Sequence, residues 1–272
     1  LHRHDVHEAF TASELEVEFP SFASELGERS VFLADATEND ARTFKWRGGI
    51  VSSYRAVADG ANILFAGSAG NHASGVVVAG RTLGVPVDIT VPTTAPPEKS
   101  DRLLTLAGTN PVKVHRAGAT FDDTMLEMRR NGKAYRPELI PAFDSRLTSA
   151  GQGTLFDDII HAHPDVEQIV VNAGGGGEAT GVLMRRDQLG YTDQVNVVIA
   201  QATGSDSLSR SLAANRLVNA TAPNKRYGGI CVRRIGDYNF EQIARASNKT
   251  ILTVEESAID HLIDGYEYDW EN

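Results

Sequence analysis

The sequence predicts an α/β protein built from two open, twisted parallel-sheet systems. Two observations carry this. From Asn62 onward, short runs of branched apolar residues alternate with segments of helical period, each stopped by glycine or proline. The pattern then restarts beyond a polar stretch marked by Pro137, Pro141 and residues 144–153, the candidate crossing between the two systems.

In the first system, 63–66 reads as a strand ending at Gly67, and 72–83 as the helix after it. Strand 87–91 stops at Pro92, and helix 97–106 has proline in its first turn. Strand 112–115 and helix 121–130 complete three strand–helix units, the helix ending at Asn131-Gly132. The second system opens with helix 154–161 and strand 168–171, followed by a glycine turn and helix 179–189. Strand 195–200 and helix 208–215 come next. Last is an amphipathic helix over 254–266, with Ile259, Leu262 and Ile263 on one face.

Composition narrows the function classes. The formal charge of −10 is spread along the chain without a basic stripe, so nucleic acid is not expected as a partner. No apolar run is long enough for a membrane span and no signal-peptide pattern opens the chain, so a cytoplasmic protein is expected. The single cysteine, Cys231, precludes an internal disulfide framework. In the apolar run 229–232 it reads as a buried small hydrophobe rather than a reactive thiol. His2, His4 and His7 are spaced to grip a metal or to form a polar tail, and the tail is the expectation. His161 and His163 sit at a helix end, where positive charge complements the dipole.

Three segments carry candidate chemistry. Gly174, Gly175, Gly176 and Gly177 lie between a strand and a helix. Their N–H groups could converge on an anion, although such a run also serves as a plain tight connection. Ser68-Ala69-Gly70-Asn71-His72 is a second strand-to-helix loop, able to offer donors to a carboxylate or to cap its own helix. In Thr43-Phe44-Lys45-Trp46-Arg47-Gly48-Gly49 a lysine sits between two aromatic residues. It is either a solvated surface charge or a desolvated amine, which favours the neutral form.

In this order and spacing the three segments resemble the fold-type II pyridoxal-phosphate (PLP) enzymes, the threonine/serine dehydratase branch in particular. Residues 43–48 fit that family's Ser-Phe-Lys-x-Arg-Gly motif with Thr43 in place of serine. Residues 68–75 look like its substrate-carboxylate loop, and 174–177 like its tetraglycine phosphate loop. Residues 92–96 with Lys99, Phe143-Asp144, 151–154 and 229–232 with Gly236 add minor matches. The resemblance implies a cytoplasmic homo-oligomer, a dimer, with PLP in the cleft between two domains. The larger comprises 1–59 and 140–272 and the smaller 60–139. It implies that Lys45 forms the Schiff base and moves the Cα proton, with Phe44 beside the ring. Asn71 bonds the pyridine 3-hydroxyl, and Gly174, Gly175, Gly176 and Gly177 bind the phosphate. Ser68, Gly70, Asn71 and His72 hold the substrate carboxylate, His72 serving structurally or through its backbone. The implied reaction is β-elimination from a small hydroxy amino acid such as L-threonine or L-serine. The alternatives are a β-replacement synthase of the same fold and a catalytically silent relative.

Several positions depart from the family pattern. Ala69 stands where racemases of the family carry a second catalytic hydroxyl, which argues against racemisation. Gln201 and Ser207 stand where some relatives have acidic cation ligands, so no metal is expected there. Glu178, directly after the glycines, is unfavourable near a phosphate unless it points away. The family's hydrogen-bond partner for the pyridine nitrogen, on a late strand, has no counterpart before Asn272, and further residues are expected to supply it.

Overall fold

The computed structural model describes residues 13–15, 31–132, 136 and 138–265. Pro137, the predicted helix end at Tyr266, and His2, His4 and His7 lie outside them. The chain divides into two compact units. One comprises described residues up to Ala142 together with Asp157–Pro164, the other Phe143–Phe156 with the described residues from Asp165 on.

The first unit opens with a short antiparallel pair, β1 (Ser13–Leu15) and β2 (Leu33–Asp35). Helix α1 (Lys45–Ala58) follows, then β3 (Leu64–Gly67), α2 (Asn71–Leu83), β4 (Val87–Val91), α3 (Pro97–Ala107), β5 (Val112–Arg116) and α4 (Phe121–Arg130). The three later strands form a parallel sheet in the order β3-β4-β5. β3 and β4 are buried at every residue, as a parallel sheet covered on both faces requires. Leu64, Ala66, Val87, Ile89 and Val91 pack with Val76, Val77 and Leu103 in its core. Local signals fix the helix ends: a Thr120/Asp123 capping box opens α4, and Gly84, at φ +68°, closes α2.

The sequence pattern does not mark α1, because Gly48-Gly49 reads as a breaker. Packing overrides propensity here. A Cβ at Gly49 would lie 3.3 Å from the Gly75 carbonyl, and one at Gly75 would lie 3.0 Å from that of Lys45. Bare glycines let the two helices approach backbone to backbone, which offsets the roughly 1 kcal/mol that each glycine costs a helix interior. Trp46, Ile50, Val78 and Ala79 close the same interface.

The second unit contains α5 (Arg146–Gln152), the first residues of α6 (Thr154–Ala162), β6 (Gln168–Asn172), α7 (Gly177–Gln188) and β7 (Asn196–Ala202). It continues with α8 (Ser207–Ala214), α9 (Asp237–Arg245), β8 (Lys249–Val254) and α10 (Glu256–Gly265). Its sheet is parallel in the order β6-β7-β8. Three of these elements, α5, α9 and β8, are not anticipated from the sequence, α5 forming within the polar stretch 144–153 that reads as a crossing. Val254, expected to start the last helix, instead ends β8 opposite Ala202. The fully buried Arg186 explains the placement of β8. Its guanidinium donates to the carbonyls of Val195, Ser247 and Asn248, tying α7 to the turn that launches the strand.

Among the described residues no helix is long and apolar enough to cross a membrane.

Candidate active site

Lys45 is the first residue of α1. The turn before it is organised by Asn39, whose Oδ1 accepts from Ala41 N–H at 3.0 Å and whose Nδ2 donates to the carbonyls of Ala36 and Thr43. Arg42 takes the left-handed conformation this turn demands, at φ +48°. Thr43 is buried, and its hydroxyl accepts the otherwise orphaned Lys45 N–H at 3.2 Å, a reason for Ser or Thr at that place. The Lys45 amine is half-buried. It donates to the Ala142 carbonyl at 3.3 Å and stands 4.9 Å from the centroid of the Phe44 ring. Trp46 does not complete the expected aromatic sandwich, because helical geometry turns it into the core between α1 and α2. Two residues beyond Lys45, the buried Arg47 bonds Asp158 at 2.5 Å, pinning the first turn of α1.

The 68–72 loop follows the carboxyl end of β3, the end of a parallel strand where α/β folds place their ligand loops. Ser68 N–H donates to Thr90 and its Oγ accepts Gly70 N–H at 3.1 Å, so the hydroxyl shapes the loop. Gly70 caps α2, and Asn71, its first residue, is exposed. His72 is buried, with Nε2 2.8 Å from the Ile140 carbonyl. Desolvation, aided by the neighbouring Lys45 charge, lowers its pKa to about 4. The ring is therefore neutral near pH 7.

In the second unit Gly174, Gly175, Gly176 and Gly177 lead from β6 into α7, where Gly176 is the N-cap at φ +85°. The first N–H groups of α7 have no partner within the helix, as at any helix start. Freedom for an anion to approach is only part of why these positions lack side chains. A Cβ at Gly175 would lie 2.2 Å from the Phe143 ring, one at Gly174 3.0 Å from Ile230, and one at Gly176 2.9 Å from Ile235. The glycine run is thus also the close-packed floor of its own unit.

The residues that brace this floor carry little sequence signal. Asn239 is fully buried. Its Nδ2 donates to the carbonyls of Gly175 and Phe143, and its Oδ1 accepts from Ser149. Asp144 accepts N–H groups of Asp237 and Tyr238, capping α9. These pairs are more than 60 residues apart in sequence, so only the Phe143-Asp144 match hinted at them. Gln201 donates to Thr253 and Ser207 accepts from Ile235 N–H, so both make internal contacts. Cys231 is half-buried rather than enclosed, because 229–232 forms a turn and loop instead of a strand.

The residues present fit PLP: a half-buried lysine amine for an aldehyde, and a glycine run opening a helix for a phosphate. Residues 11–263 match the family described as pyridoxal-phosphate dependent enzyme. The biosynthetic L-threonine dehydratase of Haemophilus influenzae is 30% identical over 219 residues, 80% of this chain and 41% of that protein. The L-threonine ammonia-lyase of Thermotoga maritima is 28% identical over 250 residues, 90% of this chain and 60% of that protein. The chain thus spans about half the length of the curated relatives it matches. Maize serine racemase superposes with a TM-score of 0.82 at 21% identity, covering 97% of this chain and 80% of that one, a likeness of fold. The motifs, the two parallel sheets and the match over nearly the whole chain agree: the chain belongs to the family of pyridoxal-phosphate dependent enzymes.

Proposed function

We propose that the chain carries out β-elimination on a hydroxy amino acid such as L-threonine or L-serine, giving a 2-oxo acid and ammonia. The observation that carries this reading is the inward-turned Lys45 amine, held against the Ala142 carbonyl beside the loop that ends in His72. When bound, PLP supplies the electron sink that stabilises negative charge at Cα.

In this reading the Lys45 Nζ, first the anchor of the cofactor, takes the proton from Cα. The Ala142 carbonyl gives that amine a resting place. Phe44 packs beside the cofactor ring and Asn71 donates to its 3-hydroxyl. Ser68, Gly70, Asn71 and the backbone of His72 receive the substrate carboxylate at the start of α2, where the helix dipole favours negative charge. Gly174, Gly175, Gly176 and Gly177 hold the phosphate at the start of α7. Residues 1–59 and 140–272 are proposed as the larger, cofactor-binding domain and 60–139 as the smaller, in a cytoplasmic homodimer. This functional division is drawn differently from the compact units, which keep α1 with α2. No metal is proposed at the place of Gln201 and Ser207, since neither carries negative charge to hold a divalent cation.

Elimination is favoured over racemisation because Ala69 offers only a methyl group, which cannot deliver a proton to the opposite face of Cα. The test is an assay of the PLP-loaded protein with L-threonine and with L-serine. The expected products are 2-oxo acid and ammonia, without D-amino acid. Product formed only with an added thiol or amine would replace this reading with β-replacement. No turnover of a fully loaded protein under any of these conditions would mark it as silent.

A further inference from the structure

We propose that His72 is a positioning residue for Lys45: its Nε2–H holds the 138–142 segment in place, and that segment presents the carbonyl on which the lysine amine rests. The inference rests on the reading of Lys45 as the cofactor-bearing lysine and assigns a new role to the His72 side chain, distinct from that of its backbone.

The geometry is a chain of directed contacts. The Ile140 carbonyl can only accept, so the His72 nitrogen 2.8 Å from it must carry the proton. The Nε2–H tautomer is fixed by this bond. Residues 138–140 run parallel to the free side of β3 like a short extra strand. Phe65 N–H donates to Glu138 and Ile140 N–H donates to Phe65, both at 2.9 Å, and Leu139 bridges to Phe65. Two residues on, Ala142 accepts from the Lys45 Nζ at 3.3 Å. Two residues span at most about 7 Å of chain, so Ile140 and the Ala142 carbonyl are coupled through a short segment.

The same helix also sets the lysine backbone. Gly75, three residues after His72, is where a Cβ would meet the Lys45 carbonyl at 3.0 Å. The first five residues of α2 thus fix Lys45 at both ends, its main chain through Gly75 and its amine through His72, Ile140 and Ala142. Burial beside a cation keeps the imidazole uncharged, so it serves as a fixed donor without exchanging protons with the amine it orients.

Two measurements test this. The first needs no variant: two-bond ¹H–¹⁵N correlation of the full chain without cofactor reads the His72 tautomer. Nε2–H at pH 7 is expected, and Nδ1–H or a charged ring overturns the inference even if every variant misfolds. The second compares His72→Gln with His72→Asn. A glutamine amide reaches the place of Nε2, whereas asparagine stops near Nδ1. PLP retention and the pH midpoint of the visible band of lysine-bound cofactor are the readouts. Asparagine should weaken retention about ten-fold and move the midpoint by roughly one pH unit, with glutamine recovering most of both. Equal values for the two variants overturn the inference. Lys45→Ala separates this from the underlying reading. If it keeps the band, the assignment of Lys45 falls. If it loses the band while both His72 variants match the wild type, only the role of His72 falls.

Discussion

The turn after β3 and the turn after β6 both carry the chain from the carboxyl end of a parallel strand into a helix, yet they use glycine for different reasons. In the first, a Cβ at Gly70 would have nothing within 4 Å, and the loop is shaped by side chains: the Ser68 hydroxyl and the His72 ring. In the second, every glycine of the run faces protein atoms at 3.0 Å or less from where its Cβ would stand. The contrast teaches that a glycine-rich signature records packing as well as ligand access. Substitutions there report on both at once.

The sharpest test of the contrast is a pair of alanines. Gly175→Ala drives a methyl into the Phe143 ring and should lower stability by about 3 kcal/mol, several degrees in Tm. Gly70→Ala meets open space and should change stability by less than about 0.5 kcal/mol, so any loss it causes would appear as weaker substrate binding. Thermal unfolding of both proteins without cofactor checks this. Equal losses would erase the distinction between a packed floor and an open loop.

A smaller and more local effect belongs to the first turn alone. The pKa of His72 is depressed from 6.5 to about 4 in the folded protein, so the unfolded chain binds the extra proton first as pH falls. The contribution of this group is fully present above about pH 6.5 and is lost between there and about pH 4, on the order of 3 kcal/mol in all. Unfolding in denaturant across that window should show the loss in the wild type and a flatter profile in His72→Gln. Parallel profiles would mean that the ring is not buried neutral.

These two turns also show how far a sequence can be read. The strands 87–91 and 168–171 were legible because branched residues cluster in each within a short run (Val87, Ile89 and Val91; Ile169, Val170 and Val171) closed by Pro92 or by the glycine turn. The observed strands match the first of these and extend the second by one residue, to Asn172. The start of α7 differs by two residues, since Gly177, a poor helix former, and Glu178, an acid suited to a first turn, belong to the helix. Helix α1 was hidden by Gly48-Gly49, whose purpose appears only with Gly75 opposite. Strand β8 was hidden because none of its residues is fully buried and the turn that launches it is held by Arg186, 63 residues earlier than Lys249 in the chain. At the candidate site, Lys45, the 68–72 loop and the four glycines stood out as contiguous motifs. The braces Asn39, Ile140, Ala142 and Asn239 did not, because their contribution is a backbone contact or a buried amide, which no residue pattern announces.

The central claim is that the Lys45 amine is the group that bonds the cofactor. The most direct measurement is borohydride reduction of the PLP-loaded protein, followed by mass spectrometry of its peptides. The account predicts a stable phosphopyridoxyl group on the peptide containing Lys45, and none in Lys45→Ala. The label on another lysine, or its persistence in the Lys45→Ala protein, would contradict it.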